Sequence, residues 1–256
     1  MLKRHIALLM APAALLVLFG FGCGDGSSPA SPTSLPAETA RTAVPGSSET
    51  TSSFSTSTNR FVGPVRLRVA HLSTDAPPVD VWVNGALVLS DVPFKAVSDY
   101  LDLDAGEYRI QVTPAGAETP IVIDATVALQ AGSVYTVAAV GFLSSNSLTP
   151  LVLLDDLSLG EGARLRFVHT SADTGAVDVA VAGGPVLFAD VTFQKASEYV
   201  EVPGGTYDLE VRPAGSSSVA LSIPGVEVLA GTTYTIFAVG RSFNGTLGPL
   251  PVVDAS

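Results

Sequence analysis

Two short runs carry the residue types that chemistry most often uses: His71, Ser73, Asp75 and Asp80 in one, His169, Ser171, Asp173 and Asp178 in the other. A histidine near a hydroxyl and carboxylates has the parts for nucleophilic hydrolysis, in which the imidazole takes the proton of the attacking hydroxyl. The same residue types also shape loops: Ser and Asp accept backbone N–H bonds while His anchors the turn. Catalysis further needs a nucleophile elbow, an oxyanion hole or a metal, and no motif for any of these accompanies the two runs. No catalytic residue is therefore assigned, and all eight are read as loop-structuring.

Two other groups could do chemistry. Asp102 with Asp104, or Asp155 with Asp156, could offer oxygens to calcium, which takes six to eight such ligands. Neither pair has the spacing of a calcium loop, so no metal and no cofactor is expected. Trp82 is the second case. In Val79 to Asn84 three valines share one strand face, which leaves Trp82 on the other face beside Asp80. An indole there could stack on a sugar or a partner protein, or be covered by a domain interface or a neighbouring loop.

The elements that position these groups are written twice. RLRVAHLSTDAPPVDVWVNG begins at Arg66 and RLRFVHTSADTGAVDVAVAGG at Arg164, an offset of 98. One residue enters the second copy near Gly183 to Asp190, and the offset becomes 99 for Tyr100 with Tyr199, Tyr108 with Tyr207 and Pro114 with Pro213. A period of that size suits two complete domains rather than a solenoid.

Within a copy the pattern has period two. Tyr108, Ile110 and Val112 alternate with Glu107, Arg109 and Gln111, and Leu67 and Val69 alternate with Arg66 and Arg68, as in strands with one wet face. Tyr135 to Val140 is apolar on both faces, as a central strand would be. Turn residues such as Asn84-Gly85 separate the runs. About seven strands per copy predict an all-β fold: two tandem antiparallel β-sandwiches, Ig-like or transthyretin-like, over 63–156 and 162–256. The short join, Asp155 to Gly162, predicts sandwiches sitting end to end.

Ahead of them, residues 1–23 read as a secretory signal: Lys3 and Arg4, an apolar run from Ile6 to Phe21, then small residues before Cys23. Cys23 is the chain's one cysteine, so no internal disulfide can form. Residues 24–62 are rich in Ser, Thr and Pro and read as a disordered linker. As a flexible coil its reach would be about 35 Å. With 13 basic against 24 acidic residues, and a net charge of -11, the chain lacks the cations that binding to nucleic acid needs.

Two resemblances follow. The lone cysteine after the signal resembles the lipobox of bacterial lipoproteins, although Gly20 stands where that pattern has Leu. It implies acylation of Cys23, a membrane anchor and a cell-envelope location, with Gly24 after the cysteine favouring the outer membrane. The repeated pieces RVAHLSTDAPPVDVWVNG, SDVPFKAVSDYLDLDAGEYRIQVTPAG and LQAGSVYTVAAVG resemble the DUF4397 domain, a family of exported proteins often carrying the domain in tandem. That resemblance implies a secreted β-sandwich and no particular activity. The reading is a non-enzymatic envelope lipoprotein presenting its sandwiches for adhesion, scaffolding or ligand binding, with envelope proteins or glycans as partners. The alternatives are a carbohydrate-binding module and, behind it, a hydrolase.

Overall fold

A computed structural model describes residues 63–256. The signal, Cys23 and the 24–62 linker lie outside the described residues. All regular structure among those described is strand, eight per copy where the sequence pattern predicted about seven.

Copy one runs β1 (Pro64–His71), β2 (Val79–Val83), β3 (Ala86–Val92), β4 (Leu101–Asp104), β5 (Gly106–Pro114), β6 (Ile123–Leu129), β7 (Val134–Val140) and β8 (Thr149–Asp155). Copy two repeats it as β9 (Ala163–His169), β10 (Val177–Val181), β11 (Val186–Val191), β12 (Val200–Val202), β13 (Gly205–Pro213), β14 (Leu221–Val228), β15 (Thr233–Val239) and β16 (Gly248–Ala255). Each copy is a sandwich of two four-stranded sheets. One has the order β4-β1-β7-β8 and the other β3-β2-β5-β6, matched in copy two by β12-β9-β15-β16 and β11-β10-β13-β14. Pairing is antiparallel except for β1 with β7 and β9 with β15, which run parallel. The long excursion through the other sheet allows this, since a parallel pair needs a crossover connection.

The alternation in β5 holds: Ile110 and Val112 are buried, whereas Glu107 and Arg109 are exposed. They join Val65, Leu67, Val81 and Val137 between the sheets of copy one. Val179, Val211 and Ile236 do the same in copy two. At the β2–β3 hairpin both Asn84 (φ 49°) and Gly85 (φ 81°) take left-handed conformations, the requirement of a tight two-residue turn. Copy two has a longer turn there, closed by Val181 N–H to the Pro185 carbonyl.

Two expectations are corrected by the way the copies meet. They do not sit end to end. The β1–β7–β8 sheet of copy one lies face to face with the β9–β15–β16 sheet of copy two, and Ala70, Leu72, Ala138 and Val140 form one cluster with Val168, Phe237 and Val239. The outward face of β1 is therefore not wet along its length. Arg66 remains exposed, but Arg68 is 2% exposed because the other copy covers it. The central strands β7 and β15 of the inner sheets are buried on both faces, and the sheets stack in four layers.

Candidate functional site

The strongest charge arrangement lies between the copies. Arg68 Nη2 donates to Asp254 Oδ1 at 2.6 Å, and Arg166 Nη2 donates to Asp155 Oδ1 at 2.6 Å. The exchange is reciprocal: each copy gives an arginine from its first strand and receives it with a carboxylate on its last. That is how a twofold dimer interface works, here within a single chain. The remaining valences are filled locally. Thr136 Oγ1 accepts from Arg68 Nε at 2.7 Å and donates to Asp155 Oδ2 at 2.5 Å. Thr235 repeats this with Arg166 (3.2 Å) and Asp254 (2.6 Å). Tyr100 and Tyr199 cover the set, each ring 4.8 Å from a guanidinium carbon, with hydroxyls on Asp155 and Asp254. Burial pushes the Tyr199 hydroxyl up to about 12 and raises that of Tyr100 as well. Burial also raises the Asp254 carboxyl, against the pull of Arg68.

The histidine–hydroxyl–carboxylate runs do come together, but most of their polar atoms are turned toward loop backbone. His71 is 1% exposed with Nε2 3.1 Å from the Pro77 carbonyl, and His169 is 0% exposed with Nε2 3.0 Å from that of Gly175. A carbonyl can only accept, so Nε2 carries the proton in both and Nδ1 is left as an acceptor. Nδ1 of His169 receives the Ser171 N–H at 3.3 Å, while that of His71 has no partner among the described residues. Burial lowers the pKa of both rings below the ordinary value, although the carbonyl bonds oppose it. Phe94 and Phe193 stand edge-on to the two rings.

Ser73 and Ser171 donate to the carbonyls of Gly141 and Gly240, both at 2.9 Å. These glycines sit at φ +96° and +106°, and an added Cβ would meet the carbonyl oxygen of Ser147 or Thr246 at 2.3 or 2.2 Å. Glycine is thus required where each loop doubles back. Asp75 accepts the N–H groups of Leu143 (2.8 Å) and Ser144 (3.0 Å), and Asp173 those of Ser242 (3.2 Å) and Phe243 (3.3 Å). Burial would raise both carboxyls, but the donated hydrogen bonds outweigh it and hold them below the usual range. Asp80 takes the N–H of Asp91 and of Gly116, both at 2.8 Å, and Asp178 takes those of Asp190 (2.7 Å) and Gly215 (2.9 Å). The carboxylates pin loops at matched places in both copies.

Of the pairs weighed for calcium, Asp155 and Asp156 are engaged with other groups. Asp155 belongs to the buried exchange, and Asp156 binds Arg164 at 2.7 Å and caps Ser158. Asp102 and Asp104 alternate along β4, where Leu101 and Leu103 are half-buried between them. No group of three or more potential ligands that could hold a metal ion occurs among the described residues.

Trp82 lies on the outer sheet, on the side away from the other copy, so the domain interface does not cover it. It is half-buried, and its indole N–H donates to Thr113 Oγ1 at 3.1 Å. It lines a shallow groove of about 230 Å³ with Gly85, Gln111, Thr113, Glu118 and Ile121. An enclosed apolar cavity of about 50 Å³ also lies between the sheets of copy two, bounded by side chains such as Phe167, Val179, Phe188 and Leu209. That is room for water-sized guests and marks a packing gap.

A family model described as "Domain of unknown function (DUF4397)" matches residues 65–180 and 163–256, so that the two matches cover both copies and overlap across β9 and most of β10. The chain belongs to the DUF4397 family. No curated protein matches this DUF4397 chain in sequence. Among solved structures it is similar to the Bacillus anthracis TIE protein (11% identity, TM-score 0.23, 70% of this chain and 34% of that one). It is also similar to a family CBM26 module of Eubacterium rectale Amy13K, solved with maltoheptaose (9% identity, TM-score 0.23, 72% and 95%). A third is a leucine-rich repeat protein from Bacteroides thetaiotaomicron (15% identity, TM-score 0.19, 71% and 26%). The chain spans about a third of the Bacillus protein's length. Likenesses this distant carry no functional argument.

Sequence reasoning missed the buried exchange. Its signal was present: Arg68 and Arg166 recur at the offset of 98, and Asp155 and Asp254 at 99. Charges repeated on strands whose neighbours are apolar point to a partnered face rather than a wet one.

Proposed function

We propose that this DUF4397 chain is a non-enzymatic envelope protein, anchored through an acylated Cys23, whose two sandwiches act as one rigid display body held off the membrane by the 24–62 linker. One observation carries the non-enzymatic part. The hydroxyls and carboxylates that could have served hydrolysis, and Nε2 of both histidines, are bonded to backbone groups of the surrounding loops, at matched places in both copies. A nucleophile must be free to meet a substrate, and these serines hold the Gly141 and Gly240 carbonyls instead. The buried exchange supports the display part, because it joins the two modules into one body. The leader pattern and the single cysteine support the anchor.

Fractionation of cells producing the wild type and Cys23→Ala tests the anchor. The wild type goes to the membrane fraction and the variant to the soluble fraction; equal distribution of the two would refute it. An ester and glycoside hydrolysis screen tests the rest. Turnover that disappears in His71→Gln with His169→Gln, while the fold persists, would make the protein an enzyme.

A further inference from the structure

The Trp82 groove differs from everything else on the outer surface in what it offers. We infer that it is a saccharide-binding subsite, in which a pyranose ring stacks on the indole and its hydroxyls bond to Gln111 and Glu118. The inference adds a ligand to the displayed body and does not depend on the anchor.

Three observations carry it. The indole is pre-oriented: Thr113 Oγ1 holds its N–H at 3.1 Å, so stacking costs little further ordering. The groove is amphipathic, with the indole and Ile121 on its apolar side and Gln111, Thr113 and Glu118 on its polar side. That matches a sugar ring, which has an apolar C–H face and a rim of hydroxyls. Glu118 makes no hydrogen bond or ion pair among the described residues, and the Gln111 amide makes only a long one, 3.4 Å to Asp124. Both therefore have capacity left for a ligand. The volume, about 230 Å³, falls below the roughly 300–1,000 Å³ of pockets that engulf a ligand. A shallow platform touching one or two rings of a chain is the form that fits.

Copy two lacks each part. Ala180 replaces Trp82 and is 0% exposed, paired across strands with Glu210 and Val186. Arg212 stands in the place of Thr113 and forms an ion pair with Glu210, the counterpart of Gln111. The subsite belongs to copy one alone.

Trp82 is the chain's only tryptophan, so its emission reports directly on the groove. The full chain is titrated with hexasaccharides of β-1,4-glucose, α-1,4-glucose, β-1,4-xylose and β-1,4-N-acetylglucosamine, up to concentrations on the order of 10 mM. At least one should change the emission saturably. Isothermal titration should then show the affinity for that sugar falling about tenfold or more in Trp82→Ala, and also falling in Gln111→Ala, which keeps the indole. Melting temperatures confirm that the variants fold. Silence of all four sugars would overturn the inference, as would binding that Trp82→Ala leaves unchanged. Emission that responds only to a purified envelope protein would also overturn it and make the groove a protein-docking surface.

Discussion

The polar groups that join the two copies are the same on both sides, whereas the outer faces differ. Arg68 and Arg166, Thr136 and Thr235, Tyr100 and Tyr199, Asp155 and Asp254 occupy matched places at the shared face. On the outer sheets Trp82, Gln111 and Thr113 correspond to Ala180, Glu210 and Arg212. Reciprocal geometry explains the contrast. In a twofold arrangement each charge on one side meets the partner of its own counterpart, so a change in one copy strands a charge in the other. An outer face answers only to solvent or to a ligand. The apolar part of the shared face is less symmetric, since Phe237 stands in copy two where copy one has Ala138, and at its rim Arg241 stacks on Phe142, its own counterpart, at 3.9 Å and reaches Asp75 at 3.2 Å. This pair is partly exposed at a loop end, where a mismatch is tolerated.

The largest expected effect comes from breaking the reciprocal face. Arg68→Ala leaves Asp254 buried without its cation and should cost about 3–5 kcal/mol in urea unfolding. The double change Arg68→Met with Asp254→Leu should recover much of that, because no charge is then stranded. If the single and double variants lose the same amount, packing rather than charge holds the face.

A second test sets the outer faces against each other. Ala180→Trp forces an indole into a site with no space and should cost about 1–3 kcal/mol. Trp82→Phe keeps a ring on the open groove and should cost about 1 kcal/mol, the worth of the bond to Thr113. Equal losses would mean that the two outer faces are packed alike. The loop carboxylates should behave the same in both copies. Asp80→Ala and Asp178→Ala each leave two loop N–H groups without their acceptor and should cost a similar amount, about 1–3 kcal/mol.

The smallest effect is in pH. Both histidines have folded pKa values below the ordinary 6.5. Below about pH 6.5 the unfolded chain takes up protons that the folded chain refuses, so their contribution is complete above that pH and declines as pH falls. The melting temperature should drop between pH 7 and 5, and His71→Gln with His169→Gln should flatten the slope. An unchanged slope would place the titration elsewhere.

Much of the fold was legible because period-two burial leaves a direct trace. The valines of β2 and the alternation of β5 require nothing beyond their own strand to be read. The shared face was not legible, because the alternation of Arg66 and Arg68 with Leu67 and Val69 looks the same whether the charged side meets water or another sheet. Only the distant partner, 186 residues away for Arg68, decides between them. The eight loop residues were readable as a recurring set, but their partners, backbone N–H groups in other loops, carry no sequence signature. Trp82 stood out by type and strand face. The polar side of its groove did not, since Glu118 reaches it from a loop whose path the sequence leaves open.

Calorimetry of the wild-type chain tests most directly whether the two copies are one body. A single transition should appear, with calorimetric and van't Hoff enthalpies that agree across both sandwiches. Two separable transitions, each insensitive to Arg68→Ala, would contradict the account.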